Sequence, residues 1–179
     1  LICNFMLLCG AKCKKMSEKE IKNCLGNWEL SLDSKGRISI PAKMKEKFPA
    51  NFKNFVLIRG FENDKCIYMY YPENFNEYVF NKFGFANVDV FNDKERSFKR
   101  KILSSVSEVE PDNTDRILLP KNLIEYADIS KNVVISGAGE YFEIWEKAHF
   151  DKKQNEMTEG DLKEIQQTFS DRLNKKNDK

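Results

Sequence analysis

The chain has 179 residues and a mass of 21.0 kDa, which bounds it to one ordinary domain or two small ones and excludes a large multidomain enzyme. With 41% hydrophobic residues, 14 Phe among them, it holds enough apolar material for a real core and is not a disordered chain. Thirty Lys and Arg against 28 Asp and Glu leave a net charge of only +2, so composition alone excludes a strongly basic nucleic-acid binder and leaves room only for a local basic surface.

Residues 1–23 read as an N-terminal extension, either disordered or reflecting a mis-set start, with Met16 as the true beginning. Its opening Leu1-Ile2-Cys3-Asn4-Phe5-Met6-Leu7-Leu8 is far shorter than the roughly 20 apolar residues of a membrane span. It also lacks the basic start and small-residue cleavage site of a signal peptide. The five cysteines, Cys3, Cys9, Cys13, Cys24 and Cys66, are odd in number and crowded toward one end, which argues against a disulfide framework. Their spacing has no repeated C-x2-C knuckle, and the only histidine, His149, is distant, so reduced thiols in a cytoplasm are expected and no metal.

From residue 24 a repeat organises the chain. Leu32-Asp33-Ser34-Lys35-Gly36-Arg37-Ile38-Ser39-Ile40-Pro41 is echoed by Pro111-Asp112-Asn113-Thr114-Asp115-Arg116-Ile117-Leu118-Leu119-Pro120. Further blocks follow in the same order: Phe55–Gly60 with Asn132–Gly137, Ile67–Tyr70 with Phe142–Trp145, and Phe75 with Phe150. This is a duplicated module. Residues 24–72 form the first copy, 73–106 a helical linker, 107–150 the second copy and 151–179 a helical tail.

Each copy predicts a short strand ending near Asp33 or Asp112, a turn, and a second strand over Ile38–Ile40 or Ile117–Leu119. Pro41 and Pro120 then stand at the first position of helices Ala42–Phe48 and Lys121–Ala127, where a missing N–H costs nothing. Two apolar runs close each copy, giving a small barrel-like sheet that the two copies complete together. In the linker, Glu73–Phe83 is helix-compatible, and Phe98, Ile102, Leu103 and Val106 recur at helical spacing. In the tail, Leu162, Ile165, Phe169 and Leu173 share one helical face behind a candidate N-cap, Thr158, and that stripe predicts packing on the chain's own domain or on a neighbouring subunit.

The Asp-x-x-x-Arg turns carry the chemistry. Gly36 permits a sharp bend with positive φ. Arg37 presents a planar fork suited to two phosphate oxygens or the O6/N7 edge of guanine, Asp33 can hold that fork in place, and Lys35 adds a point charge. The bland alternative is an exposed ion pair that only closes a turn. The duplication favours recognition, because two equivalent arms suit a quasi-symmetric duplex. Arg96 and Arg100, one helical turn apart, are either phosphate anchors or a solvated or interfacial face, the second being favoured. No Gly-rich phosphate loop, nucleophile elbow or HExxH motif occurs, His149 reads as a partly buried aromatic-like residue, and neither an enzyme nor a cofactor is expected.

The two Asp-x-x-x-Arg blocks together with Phe142-Glu143-Ile144-Trp145 resemble the MraZ proteins, within the larger AbrB-type regulators, over about residues 24–150. The resemblance implies an α+β, β-rich fold: two AbrB/MazE-like modules forming a swapped-hairpin (double-split) β-barrel with flanking helices. It further implies a nucleoid-associated repressor of the division and cell-wall gene cluster, its own promoter included. Double-stranded promoter DNA with direct repeats and a ring-like homo-oligomer are the implied partners, with no membrane. The implied DNA-binding residues are Asp33, Lys35, Gly36, Arg37, Asp112, Thr114 and Arg116. Asp115 stands where the family usually has Gly, so the second turn is expected to bind more weakly. Two rival readings are an AbrB-fold antitoxin that binds DNA and a toxin protein, and a purely structural oligomer.

Overall fold

The computed structural model describes residues 23–49, 52–61 and 64–177. Cys3, Cys9, Cys13 and Met16, on which the expectations for the N-terminal extension fall, lie outside the described residues.

The first copy contributes β1 (Asn27–Ser31), β2 (Arg37–Ser39), α1 (Ala42–Lys45), β3 (Phe55–Arg59) and β4 (Cys66–Tyr70). The linker holds α2 (Pro72–Phe75), which runs into a π-helical stretch (Asn76–Lys82), then a 3₁₀ turn (Phe85–Asn87) and α3 (Asp93–Leu103). The second copy repeats the pattern as β5 (Ser107–Val109), β6 (Arg116–Leu118), α4 (Lys121–Tyr126), β7 (Asn132–Gly137) and β8 (Phe142–Glu146). Helices α5 (Lys147–Glu156) and α6 (Glu159–Asn177) follow.

The strands form an antiparallel six-stranded sheet in the order β1-β7-β8-β4-β3-β5, and a separate antiparallel ribbon of β2 with β6. That order is a palindrome of the repeat. Each copy gives its first strand to the other copy: β1 pairs with β7, and β5 pairs with β3. The copies also meet at β4 with β8 and at β2 with β6. The strands on either side of each Asp-x-x-x-Arg turn therefore do not pair as a hairpin. Among the described residues the ribbon is not hydrogen-bonded to the sheet, so no closed barrel forms. The register also shifts the repeat by one residue. Leu30 opposite Val133 corresponds to Val109 opposite Phe55, which makes Val133, not Asn132, the equivalent of Phe55. The extra residue of the first copy falls between α1 and β3, in a loop, where length varies at little cost.

Strand alternation gives the sheet two apolar faces. One carries Phe55, Leu57, Ile67 and Met69 with their second-copy equivalents, and is covered by Ile38, Ile40, Ile117 and Leu119 and by Met44 and Leu123 of α1 and α4. The other carries Val56, Ile58, Tyr68, Tyr70 and Trp145 under the linker residues Phe75, Val79, Phe85 and Ile102. Each large apolar side chain buried this way contributes about 1.5–3 kcal/mol. The π-helical stretch suits its cover role: its wider turn brings Phe75 and Phe80 into edge contact at 5.9 Å, five residues apart. Cys24 and Cys66 are buried in the two different clusters.

Pro41 and Pro120 sit one residue earlier than expected. Both are N-caps with extended ψ (139° and 135°), and their carbonyls accept the first helical bonds, from Met44 and Lys45 and from Leu123 and Ile124. Thr158 caps α6 as expected, its Oγ1 accepting from the Asp161 N–H while the Asp161 carboxylate accepts from the Thr158 N–H. The α6 stripe is not packed on the chain's own domain: Leu162, Ile165, Phe169 and Leu173 are all exposed. Among the described residues no helix is long and apolar enough to cross a membrane.

Candidate nucleic-acid interface

The first turn is built around one carboxylate. Asp33 Oδ1 accepts the backbone N–H of Lys35 (2.8 Å) and of Arg37 (2.9 Å), which bends the chain locally. The main chain closes the turn with Gly36 N–H to Asp33 O (3.0 Å) and Asp33 N–H to Arg37 O (2.9 Å). Gly36 takes φ +79°, a conformation that a Cβ would strain. Asp33 Oδ2 then accepts Arg37 Nε (2.8 Å) and lies 2.7 Å from a second guanidinium nitrogen. The fork is held by two points, so little side-chain entropy remains to be lost on recognition.

The second turn repeats this bond for bond. Asp112 Oδ1 accepts the N–H of Thr114 (2.8 Å) and of Arg116 (3.1 Å), and Oδ2 accepts Arg116 Nε (3.2 Å). The Thr114 hydroxyl adds a bond to Oδ1 (2.6 Å). Asp115 occupies the Gly36 position at φ +58°. Both carboxylates are held below the usual range. The Arg37 side chain and then its backbone N–H bring Asp33 down to about 2, and the Thr114 hydroxyl leads the same effect at Asp112.

The ribbon sets both turns on one surface. Ile38 and Ile117 pair across it and point into the core, so Arg37, Ser39, Arg116 and Leu118 all point outward. The two arginines are about one quarter to one third exposed, neither buried nor free to wander. They are also linked: an Arg37 guanidinium nitrogen lies 3.7 Å from Asp112 Oδ2, joining the first turn to the second. Arg96 and Arg100 are elsewhere. They lie on α3, whose Ile102 packs on the sheet face opposite the ribbon, and Arg96 is engaged by Asp93 and by the Val90 carbonyl. His149 is half-buried on α5, one residue before Phe150.

A family model described as "MraZ protein, putative antitoxin-like" matches residues 24–101 and again 102–173. A transcriptional regulator MraZ of Mycoplasmopsis pulmonis is 34% identical over 140 residues, covering 78% of this chain and 90% of the relative. One of Nitrosomonas eutropha is 34% identical over 149 residues, covering 81% and 97%. One of Natranaerobius thermophilus is 37% identical over 132 residues, covering 74% and 87%.

The chain belongs to the MraZ family.

The border between the two MraZ matches falls inside α3, so each match takes one Asp-x-x-x-Arg turn and one complete set of four strands. Two features of this MraZ surface escaped the sequence. Leu118 stands exposed on the ribbon opposite Arg37. Lys45, on α1, reaches Asp115 of the second turn at 2.5 Å. Strand alternation about Ile117 could have revealed the first; no local signal could have revealed the second, a contact between residues 70 positions apart.

Proposed function

We propose that this chain is a transcriptional regulator that binds promoter DNA through the outward face of the β2–β6 ribbon. One observation supports this most: two guanidinium forks, each fixed by a carboxylate, stand on the same exposed face and are tied together across the copies. A two-stranded ribbon fits the major groove, where fixed arginine forks match guanine edges and phosphates. In this reading Arg37 and Arg116 contact DNA, Asp33 and Asp112 orient them, Lys35 meets phosphate, and Gly36 and Thr114 shape the turns. Arg96 and Arg100 play no part. The regulator acts in the cytoplasm on the promoter of its own division and cell-wall cluster. In this reading the exchange of first strands supports a swapped-hairpin arrangement of the two modules. A few cations per chain give weak, salt-sensitive contacts, and copies assembled in a ring on direct repeats multiply them by avidity.

Gel shifts on the DNA upstream of the chain's own gene test this. Arg37→Ala is expected to abolish binding, because it removes the first fork and leaves Asp33 without its guanidinium; Arg116→Ala is expected to weaken binding by about 10- to 100-fold. Unchanged shifts for both would remove the turns from the interface. The exposed stripe of α6 favours a second reading, an antitoxin whose tail holds a toxin protein. A small toxin gene beside this one, in place of division genes, would decide for it.

A further inference from the structure

We propose that Lys45 is a positioning residue of the DNA-binding face, neutralising Asp115 from across the copy boundary so that the second turn can approach a phosphate backbone. The inference rests on the reading above that the turns meet DNA.

The two turns share their backbone hydrogen bonds and differ in charge. Asp33, Lys35 and Arg37 leave the first turn with one net positive charge, whereas Asp112, Asp115 and Arg116 leave the second with one net negative charge. The tip of the second turn must take positive φ, and aspartate tolerates that geometry better than most residues, at the cost of an added carboxylate beside the arginine. Such a charge at the point of contact opposes a polyanion.

Lys45 answers that charge directly. It stands four residues after Pro41, on the last residue of α1, and its Nζ lies 2.5 Å from Asp115 Oδ2. The equivalent position of the second copy, four residues after Pro120, is Ile124. Ile124 Cδ1 lies 3.4 Å from the point where a Cβ on Gly36 would stand. The same place in each short helix therefore covers the tip of the opposite turn, with an apolar side chain over glycine and a cation over aspartate. The cross-copy backbone frames this fit, since Leu119 N–H donates to Gly36 O (2.9 Å) and Ile40 N–H to Asp115 O (2.8 Å). The pair is about half exposed, so its role is not to hold the fold together. Its role is to set the field that DNA meets.

The test is equilibrium binding of the full chain, by fluorescence anisotropy, to a duplex of the promoter DNA upstream of its own gene. Lys45→Met is expected to weaken binding about tenfold, the effect of one uncompensated charge at short range. Asp115→Gly added to Lys45→Met is expected to restore affinity to within about twofold of the parent chain. Thermal midpoints should stay close to the parent for all variants, because glycine takes positive φ without strain. The proposal is overturned by a Lys45→Met chain that binds like the parent, and equally by a double variant that stays weak, since Lys45 would then contact DNA itself. Failure of the underlying reading looks different: the duplex would bind the parent and an Arg37→Ala/Arg116→Ala chain alike.

Discussion

The first turn carries Gly36 at φ +79° and the second carries Asp115 at +58°, yet both close on the same Asp–Arg bracket with the same main-chain bonds. Backbone shape here is set by the carboxylate that collects two N–H groups and a guanidinium, not by the residue at the tip. What the tip changes is charge and cover. The second turn has traded a small uncharged tip for a carboxylate, and the opposite helix supplies the matching cation. Two copies of one module can thus keep one geometry while dividing the electrostatic work unequally.

The largest effect that would break this comparison lies beneath the turns. Ile38→Ala or Ile117→Ala removes a fully buried side chain from the ribbon that carries both, and each is expected to cost about 2–5 kcal/mol in urea unfolding. Markedly unequal costs would show that the copies are not equivalent even in the core. The tips should respond more weakly. Gly36→Ala forces a side chain into positive φ and is expected to lose about 1 kcal/mol, whereas Asp115→Gly should shift stability by less than about 0.5 kcal/mol. The smallest effect is that of pH. Asp33 titrates at about 2 in the folded chain, below an ordinary aspartate. Its contribution is therefore complete above the unfolded value and fades only as pH falls toward 2. DNA affinity attributable to these carboxylates should be flat from pH 8 down to about 5, and carboxyl carbon shifts of Asp33 measured by NMR should show the acid midpoint.

The turns were legible in the sequence because everything that builds them is local. An aspartate, a residue that accepts positive φ, an arginine four positions on and a proline soon after are enough to place strand, bend and helix start. What joins the turns was not legible. The pairings of β1 with β7 and β5 with β3, and the reach of Lys45 to Asp115, bring together residues about 50 to 110 positions apart, where no spacing rule applies. The repeat itself was visible, but its alignment slipped by one residue at Asn132, because apolar runs look alike in either register until a partner strand fixes which residues face inward. For the tail, only packing on the chain's own domain is overturned. Leu162, Ile165, Phe169 and Leu173 have the periodicity of a packed helix, and periodicity reports that a face exists without saying what lies against it.

The crossing of first strands also has a consequence for how the chain comes into being. During synthesis Asn27–Ser31 leaves the ribosome with nothing to pair with until Asn132–Gly137 has emerged, most of the chain later. The early half must stay unfinished through that interval, with an unpaired strand open to wrong neighbours. Completion then comes in a single late step, when the second half arrives to receive one strand and return another.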